Sequence, residues 1–154
     1  MISMIYCRDM DATIGDDKGL VYHCIADMDR FVRITNGRKV VVGRKTYDLL
    51  PDKAKQRMNP FVIGREHYRP EDVFKLEGDV IVIGGAEIYS MFEPFAEVVY
   101  ETVLDATSSG DSRYWITYRN FDLVNSVAEM LPVTKLSTGE TETLLVTFNT
   151  YRRA

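Results

Sequence analysis

The chain has 154 residues, 45% hydrophobic and 27% charged, a balance that excludes disorder and collagen-like repeats and fits one globular domain. At this length a fold buries about 68–70% of the surface its unfolded chain exposes, so no metal or disulfide is needed as a staple. The 19 Lys and Arg against 23 Asp and Glu leave a formal charge of -4, which offers no basic footprint to nucleic acid and points to a small ligand.

Cys7 and Cys24 show no paired spacing, and His23 and His67 are the only histidines, so the expectation is a reducing compartment and no metal site. The start of the chain meets Arg8 and Asp9 with no basic leader before an apolar stretch. Apolar runs such as 40–43 and 80–83 fall far short of the ~18 residues of a membrane helix. A cytoplasmic protein that touches no membrane is expected. With no repeat or linker, one domain over residues 1–154 is expected, and a monomer is the default.

In chain order, residues 2–7 read as a buried strand, and a polar stretch holding Gly15, Asp16, Asp17, Lys18 and Gly19 has the composition of a mobile loop. Residues 25–35 read as a helix whose stripe is Ile25, Met28, Phe31, Val32 and Thr35, stopped by Asn36-Gly37. Residues 39–43 are a valine-rich strand of the kind covered on both faces. A helix follows over 44–50, closed by Pro51, and then a strand over 60–64. Residues 66–78 read as weakly structured. Residues 79–83 form the most strand-like run, and Gly84-Gly85 lead into a helical pattern of Ile88, Met91, Phe92 and Phe95. Strands over 98–104, 123–127 and 144–151 complete the list, the last two joined through Ser137-Thr138-Gly139. The alternation predicts an α/β fold: a central, mostly parallel twisted sheet of about eight strands with an antiparallel C-terminal strand, flanked by three to four helices.

Three constellations could carry chemistry. Asp27 lies at the edge of the apolar stripe, where a carboxylate is costly unless answered. Two roles are open to it: pairing with Arg30 or Arg33 on the helix surface, or gripping a ligand that presents two parallel N–H donors. Val42-Gly43-Arg44-Lys45-Thr46 is a strand ending in glycine at a helix start with a hydroxyl and two cations, a setting that suits phosphate or simple turn chemistry. Arg65 is a third cation that could converge there. Gly84-Gly85 at the next junction would permit close backbone approach to a pyrophosphate or tight helix-on-sheet packing, although it is not the G-x-G-x-x-G fingerprint. No nucleophile–base motif is present, which favours chemistry supplied by a cofactor.

The ordered set Ile14-Gly15, Gly19-Leu20-Val21-Tyr22, Ala26-Asp27, Phe31, Val42-Gly43-Arg44-Lys45-Thr46-Tyr47, Val82-Ile83-Gly84-Gly85, Tyr89, Thr102 and Gly110-Asp111 resembles dihydrofolate reductase from residue 2 to about 111. The resemblance implies reduction of 7,8-dihydrofolate by NADPH, with hydride passing to pterin C6 and N5 protonated. Asp27 would grip the pterin edge, backed by Thr102. Ile5, Phe31, Leu50, Tyr89 and the carbonyl regions of Tyr6 and Ile83 would wall the substrate slot, and Arg57 would hold the substrate's α-carboxylate. The cofactor would lie against Gly43, Arg44, Lys45 and Thr46 on one side and Ile83, Gly84, Gly85, Ala86, Glu87, Ile88 and Tyr89 on the other. Arg44 and Arg65 would favour a 2′-phosphate. Ile14, Gly15 and Leu20 would cover the nicotinamide as a lid, with Cys7 nearby. Antifolates would be expected ligands.

Several departures from the family pattern stand out. Val21-Tyr22 replaces a Pro-Trp pair, so a phenolic hydroxyl stands where an indole N–H would hold the active-site water, and Tyr22 joins Asp27 as a catalytic candidate. Cys7 occupies a place usually taken by alanine, and 66–78 is short for the adenine pocket. Pro60 and Trp115 also depart. The alternatives are a pyrimidine reductase of the riboflavin pathway, similar in fold and in Gly43-Arg44-Lys45-Thr46, and a non-catalytic nucleotide or pterin binder.

Overall fold

The computed structural model describes residues 1–16, 18–64, 67–108 and 110–154. Its strands and helices run β1 (Ile2–Arg8), β2 (Thr13–Gly15), β3 (Tyr22–His23), α1 (Ile25–Thr35), β4 (Lys39–Gly43), α2 (Arg44–Leu49), α3 (Asp52–Met58), β5 (Phe61–Ile63), α4 (Pro70–Val73), β6 (Val80–Val82), α5 (Ala86–Phe92), β7 (Ala96–Leu104), β8 (Ser112–Arg113), β9 (Phe121–Lys135) and β10 (Thr141–Arg153). Eight strands form one sheet in the order β3-β9-β10-β7-β1-β6-β4-β5, and β2 pairs with β8 separately. The ladders β1–β6, β1–β7, β4–β5 and β4–β6 are parallel. The three that add β10, β9 and β3 are antiparallel, as a C-terminal hairpin arm requires.

Side chains alternate across the sheet, so each strand serves two cores. On one face Ile5, Val40, Val42, Ile81 and Ile83 pack under Phe31 and Ile34 of α1, Leu50, and Met58 of α3. On the other, Met4, Tyr6, Val41, Val82 and Val99 pack against Val73 of α4 and Ile88, Tyr89 and Phe92 of α5. A third cluster, around Cys24, Leu104, Val133 and Val146, closes the sheet over the arm.

The expected bounds of α1 and β4 match the observed ones. The buried face of α1 matches only in part: Phe31 and Thr35 of the proposed stripe face the core, but Ile25, Met28 and Val32 are exposed and Arg30 is buried in their place. The helix is rotated because Asp27, Arg30 and Thr35 all find partners across the interface, which removes the usual cost of turning polar groups inward. Residues 67–78 are more regular than expected. Pro70 opens α4, where the Asp72 carboxylate accepts from Arg69 N, and Ile63 bridges Tyr68. Pro60 stands just before β5 rather than within it, where its missing N–H breaks no ladder. The expected mobile loop has a built base, since Asp16 and Gly19 exchange backbone hydrogen bonds of 2.8 and 3.1 Å and β2 pairs with β8. A Cβ on Gly110 would fall 2.4 Å from Thr13 Cγ2, so only glycine lets these segments meet.

Candidate active site

Asp27 sits in the first turn of α1, facing the carboxyl end of β7. The Thr102 hydroxyl donates to its Oδ1 at 2.6 Å. Register places Cys7 of β1 and Phe148 of β10 on either side of Thr102, so the carboxylate looks onto the join of three strands. Burial raises the Asp27 carboxyl above the ordinary Asp value, and the Thr102 hydrogen bond and the Arg30 charge oppose that rise. The surface pairing with Arg30 or Arg33 weighed from the sequence is not what forms. Arg30 is itself buried and reaches Thr102 instead. Cys7 is half-buried, and desolvation and then the Asp27 charge raise its thiol pKa well above the usual range.

A narrow cavity of about 30 Å³ opens in front of Asp27, lined by Cys7, Thr13, Ile14, Leu20, Tyr22 and Leu104 among others. Ile14, Leu20, Tyr22 and Asp27, four of the expected site residues, therefore share one space, with buried Gly15 in the adjoining β2. A larger cavity of about 570 Å³ lies elsewhere, by Asp11, Arg113, Tyr114 and Trp115, and holds none of the expected site residues. The smaller one is the better candidate because it holds the buried carboxylate.

The Tyr22 hydroxyl donates to Thr107 O at 2.8 Å, tying β3 to the segment after β7. Burial, then the nearby Asp9 charge, raise its pKa. Ile5, Phe31, Leu50 and Ile83 come together in the cluster beneath α1. Tyr6 points to the opposite face, where its hydroxyl donates to Glu101 Oε2 at 2.5 Å, so only its backbone can border the slot. Tyr89 is buried on that face as well and donates to Ile5 O at 2.6 Å, bracing β1. Arg57 lies in the last turn of α3 rather than in a loop, exposed, with both terminal nitrogens 3.4 and 3.5 Å from Thr35 Oγ1.

The two glycine junctions are adjacent. Gly43 N donates to Gly84 O at 2.8 Å, joining the ends of β4 and β6 just where α2 and α5 begin. Gly84 has φ 130, a conformation that favours glycine, and the Gly84–Gly85 peptide is cis. A Cβ on Gly85 would come 3.0 Å from Thr46 Oγ1, and one on Gly43 would come 2.8 Å from Ile88 Cγ1. The junction thus presents bare backbone, as close approach of a pyrophosphate needs. Arg44 and Lys45 are exposed beside it, Arg44 in a surface pair with Asp48 at 3.6 Å. Ala86 is half-buried and Glu87 exposed at the start of α5, whereas the Ile88 side chain turns into the core, leaving only its backbone to a ligand. Arg65 lies outside the described residues.

The family model for dihydrofolate reductase matches residues 1–153. The chain belongs to the dihydrofolate reductase family. It is 28% identical over 126 residues to the dihydrofolate reductase of Bacillus subtilis, covering 74% of this chain and 75% of that one. It is 24% identical over 136 residues to that of Ureaplasma parvum, covering 80% and 87%. Among solved structures, dihydrofolate reductase from Enterococcus faecalis complexed with NADP(H) and RAB-propyl superposes with a TM-score of 0.77 at 22% identity, over 99% of this chain and 96% of that one. The reductase family match does not favour the pyrimidine reductase alternative.

Two features of this reductase were missed from its sequence. Arg30 stands three residues after Asp27, on the same helix face, and that spacing was the available signal. Asp9 is fully buried, its Oδ1 accepting from Asp11 N and Thr13 N at 2.9 Å each, while its Oδ2 and the Thr13 hydroxyl have no partner. Nothing local in the sequence marks that turn as buried.

Proposed function

We propose that the protein reduces 7,8-dihydrofolate to 5,6,7,8-tetrahydrofolate with NADPH, as a cytoplasmic, monomeric enzyme of one-carbon metabolism acting as a single domain. The observation that carries this is the buried Asp27 carboxylate, held by Thr102 at 2.6 Å at the mouth of a cavity. Thr102 takes only one acceptor site of Oδ1, which leaves both carboxylate oxygens able to accept, one from N3–H and one from the 2-amino group of a pterin. Such a fork fixes the ring plane, and ionised Asp27 polarises the ring toward protonation at N5. Among the described residues no other carboxyl group borders the cavity, and we assign the N5 proton to water.

Gly43, Arg44, Lys45, Thr46, Gly84, Gly85 and Ala86 would hold the cofactor, whose bound dihydronicotinamide supplies the hydride. Glu87, Ile88 and Tyr89 would border it through the first turn of α5, and Arg44 would favour a 2′-phosphate. Ile14, Gly15 and Leu20 exclude water from the reacting faces, with Cys7 and Ile83 beneath them. Ile5, Tyr6, Phe31, Leu50 and Tyr89 shape the pterin and benzoyl slot, and Arg57 takes the α-carboxylate. Antifolates carrying a protonated diaminopyrimidine fit the same fork. The decisive assay follows NADPH oxidation by its absorbance. Dependence on dihydrofolate, with loss in Asp27→Asn, is expected; NADPH and dihydrofolate binding with no turnover would instead identify a non-catalytic binder.

A further inference from the structure

Arg30 is 8% exposed, among the few buried charged residues of the described chain. Its Nη1 donates to Glu101 O and Thr102 Oγ1, both at 3.3 Å, and its Nη2 donates to Asn149 O at 3.0 Å and Thr150 Oγ1 at 3.5 Å. The guanidinium lies 5.7 Å from the Tyr100 ring centroid and 5.4 Å from that of Phe148. Its donors are thus spread over β7 and β10, and no described carboxylate lies within 4.0 Å. A buried cation with neutral acceptors alone is expensive, and arginine cannot escape the cost by releasing its proton. The acid it can serve is Asp27, one turn earlier on α1, and the group between them is the Thr102 hydroxyl.

That hydroxyl has one proton. Arg30 can only donate, so when Thr102 oxygen accepts from it, the hydroxyl proton is free to go to Asp27 Oδ1 at 2.6 Å. We propose that Arg30 is a positioning residue for Asp27: it orients the Thr102 hydroxyl toward the carboxylate and supplies the buried positive charge that keeps the acid ionised. The other groups facing Asp27 are the Cys7 thiol from β1 and His23 from β3, with Tyr89 of α5 sensing its charge. Cys24 and Asp9 act on Cys7. Arg30 itself faces Arg33 on its own helix and Tyr100 from β7. Of the two basic side chains facing Asp27, His23 is exposed and Arg30 is buried, so the arginine field is the less screened one.

The inference rests on Asp27 as the pterin anchor, but its test does not require turnover. The full chain is labelled with carbon-13 at its Asp carboxyls, Asp27 is assigned by Asp27→Asn, and the carboxyl is titrated without ligand. Arg30→Met keeps an unbranched side chain between Tyr100 and Phe148, and it should raise the Asp27 midpoint by roughly one pH unit. Arg30→Lys should recover at least half of that shift. Thr102→Val should also raise the midpoint, and Thr102→Ser should not. The acidic limb of the kcat/KM profile should move with the midpoint. A folded Arg30→Met protein with an unmoved Asp27 midpoint overturns the proposal, as do equal shifts in the Met and Lys variants. If Arg30→Met does not fold, the Thr102 pair decides, and an unmoved midpoint in Thr102→Val overturns it. A shifted midpoint in a protein that does not reduce dihydrofolate supports the coupling and refutes the functional reading instead.

Discussion

Replacing Asp27 by Asn changes one oxygen to an NH2 group and almost nothing in volume. Because the Thr102 hydroxyl donates toward this side chain and Arg30 backs the hydroxyl, the amide oxygen must take the Thr102 side. The amide nitrogen is then left facing the pterin, donor against donor. The loss combines a hydrogen bond to a charged group, about 1.5–3 kcal/mol, with an unsatisfied buried donor, about 1–3 kcal/mol. Together these give about 3–6 kcal/mol, or roughly two to four decades in kcat/KM. Stability should move the other way. Burial raises the Asp27 carboxyl in the folded state, so this group favours folding at low pH, and that contribution is lost as pH rises through the folded value. At neutral pH the variant is relieved of a buried charge, and its Tm should rise. Steady-state kinetics and thermal melts at pH 7 and pH 5 test both halves, with the gain in Tm larger at pH 7. Near wild-type kcat/KM, or a Tm several degrees lower at pH 7, would refute the account of this carboxylate.

Tyr22→Phe removes the bond to Thr107 O and should cost about 0.5–1.5 kcal/mol of stability in denaturant melts while holding the hydride rate within about tenfold; a hundredfold slowing would place the hydroxyl in proton delivery. Arg57→Met should raise KM for dihydrofolate and leave kcat and the KM for a pterin lacking the glutamate tail unchanged. Gly43→Ala sets a Cβ 2.8 Å from Ile88 Cγ1, so urea melts should show a loss of about 1–3 kcal/mol and NADPH titrations a weaker cofactor. Glu101→Ala leaves Arg8 with its partner gone on the buried face and should cost about 3–5 kcal/mol; a loss below about 1 kcal/mol would show that the Arg8–Glu101 pair contributes little.

The bounds of α1 and β4 could be read from the chain because their signals are local: Asn36-Gly37 at one end, and a valine run closed by glycine at the other. Which way α1 faces could not be read from it. Hydrophobicity turned Ile25 inward, yet it is 65% exposed, while Arg30 is buried by acceptors 71 to 120 residues further along the chain. The arm shows the same limit. A strand of five residues was expected over 123–127, but β9 runs Phe121–Lys135 because β10 pairs with it almost end to end. Most of β9 is exposed, so no alternation marks its length, and the ladder that sets it is a non-local property. Asp27 and the glycine junctions stand out in the sequence because each is unusual for its local setting, whereas Arg57 is singled out only by the family resemblance. Strand alternation, counted from Ile5, assigns the Tyr6 side chain to the far face, which is why only its carbonyl region was expected at the slot.

That alternation also explains why the candidate site needs both faces of the sheet. Thr102 and Glu101 are neighbours on β7, so their side chains leave on opposite sides. On the far side Glu101 accepts from Tyr6, Tyr118, Arg8 and Asn149, drawing β1, the 3₁₀ turn before β9, and β10 onto β7. On the near side Arg30 donates to the carbonyl of that same Glu101 and to the hydroxyl of Thr102. A satisfied buried network resists distortion far more than an apolar contact of equal area, because any shift leaves charged groups unpaired. The strand that aims Thr102 at Asp27 is therefore clamped from behind by side chains on the opposite face of the sheet. Substitutions in that network should lower kcat/KM through the geometry of Asp27 even where the protein remains folded, an effect a purely structural role for Glu101 would not produce.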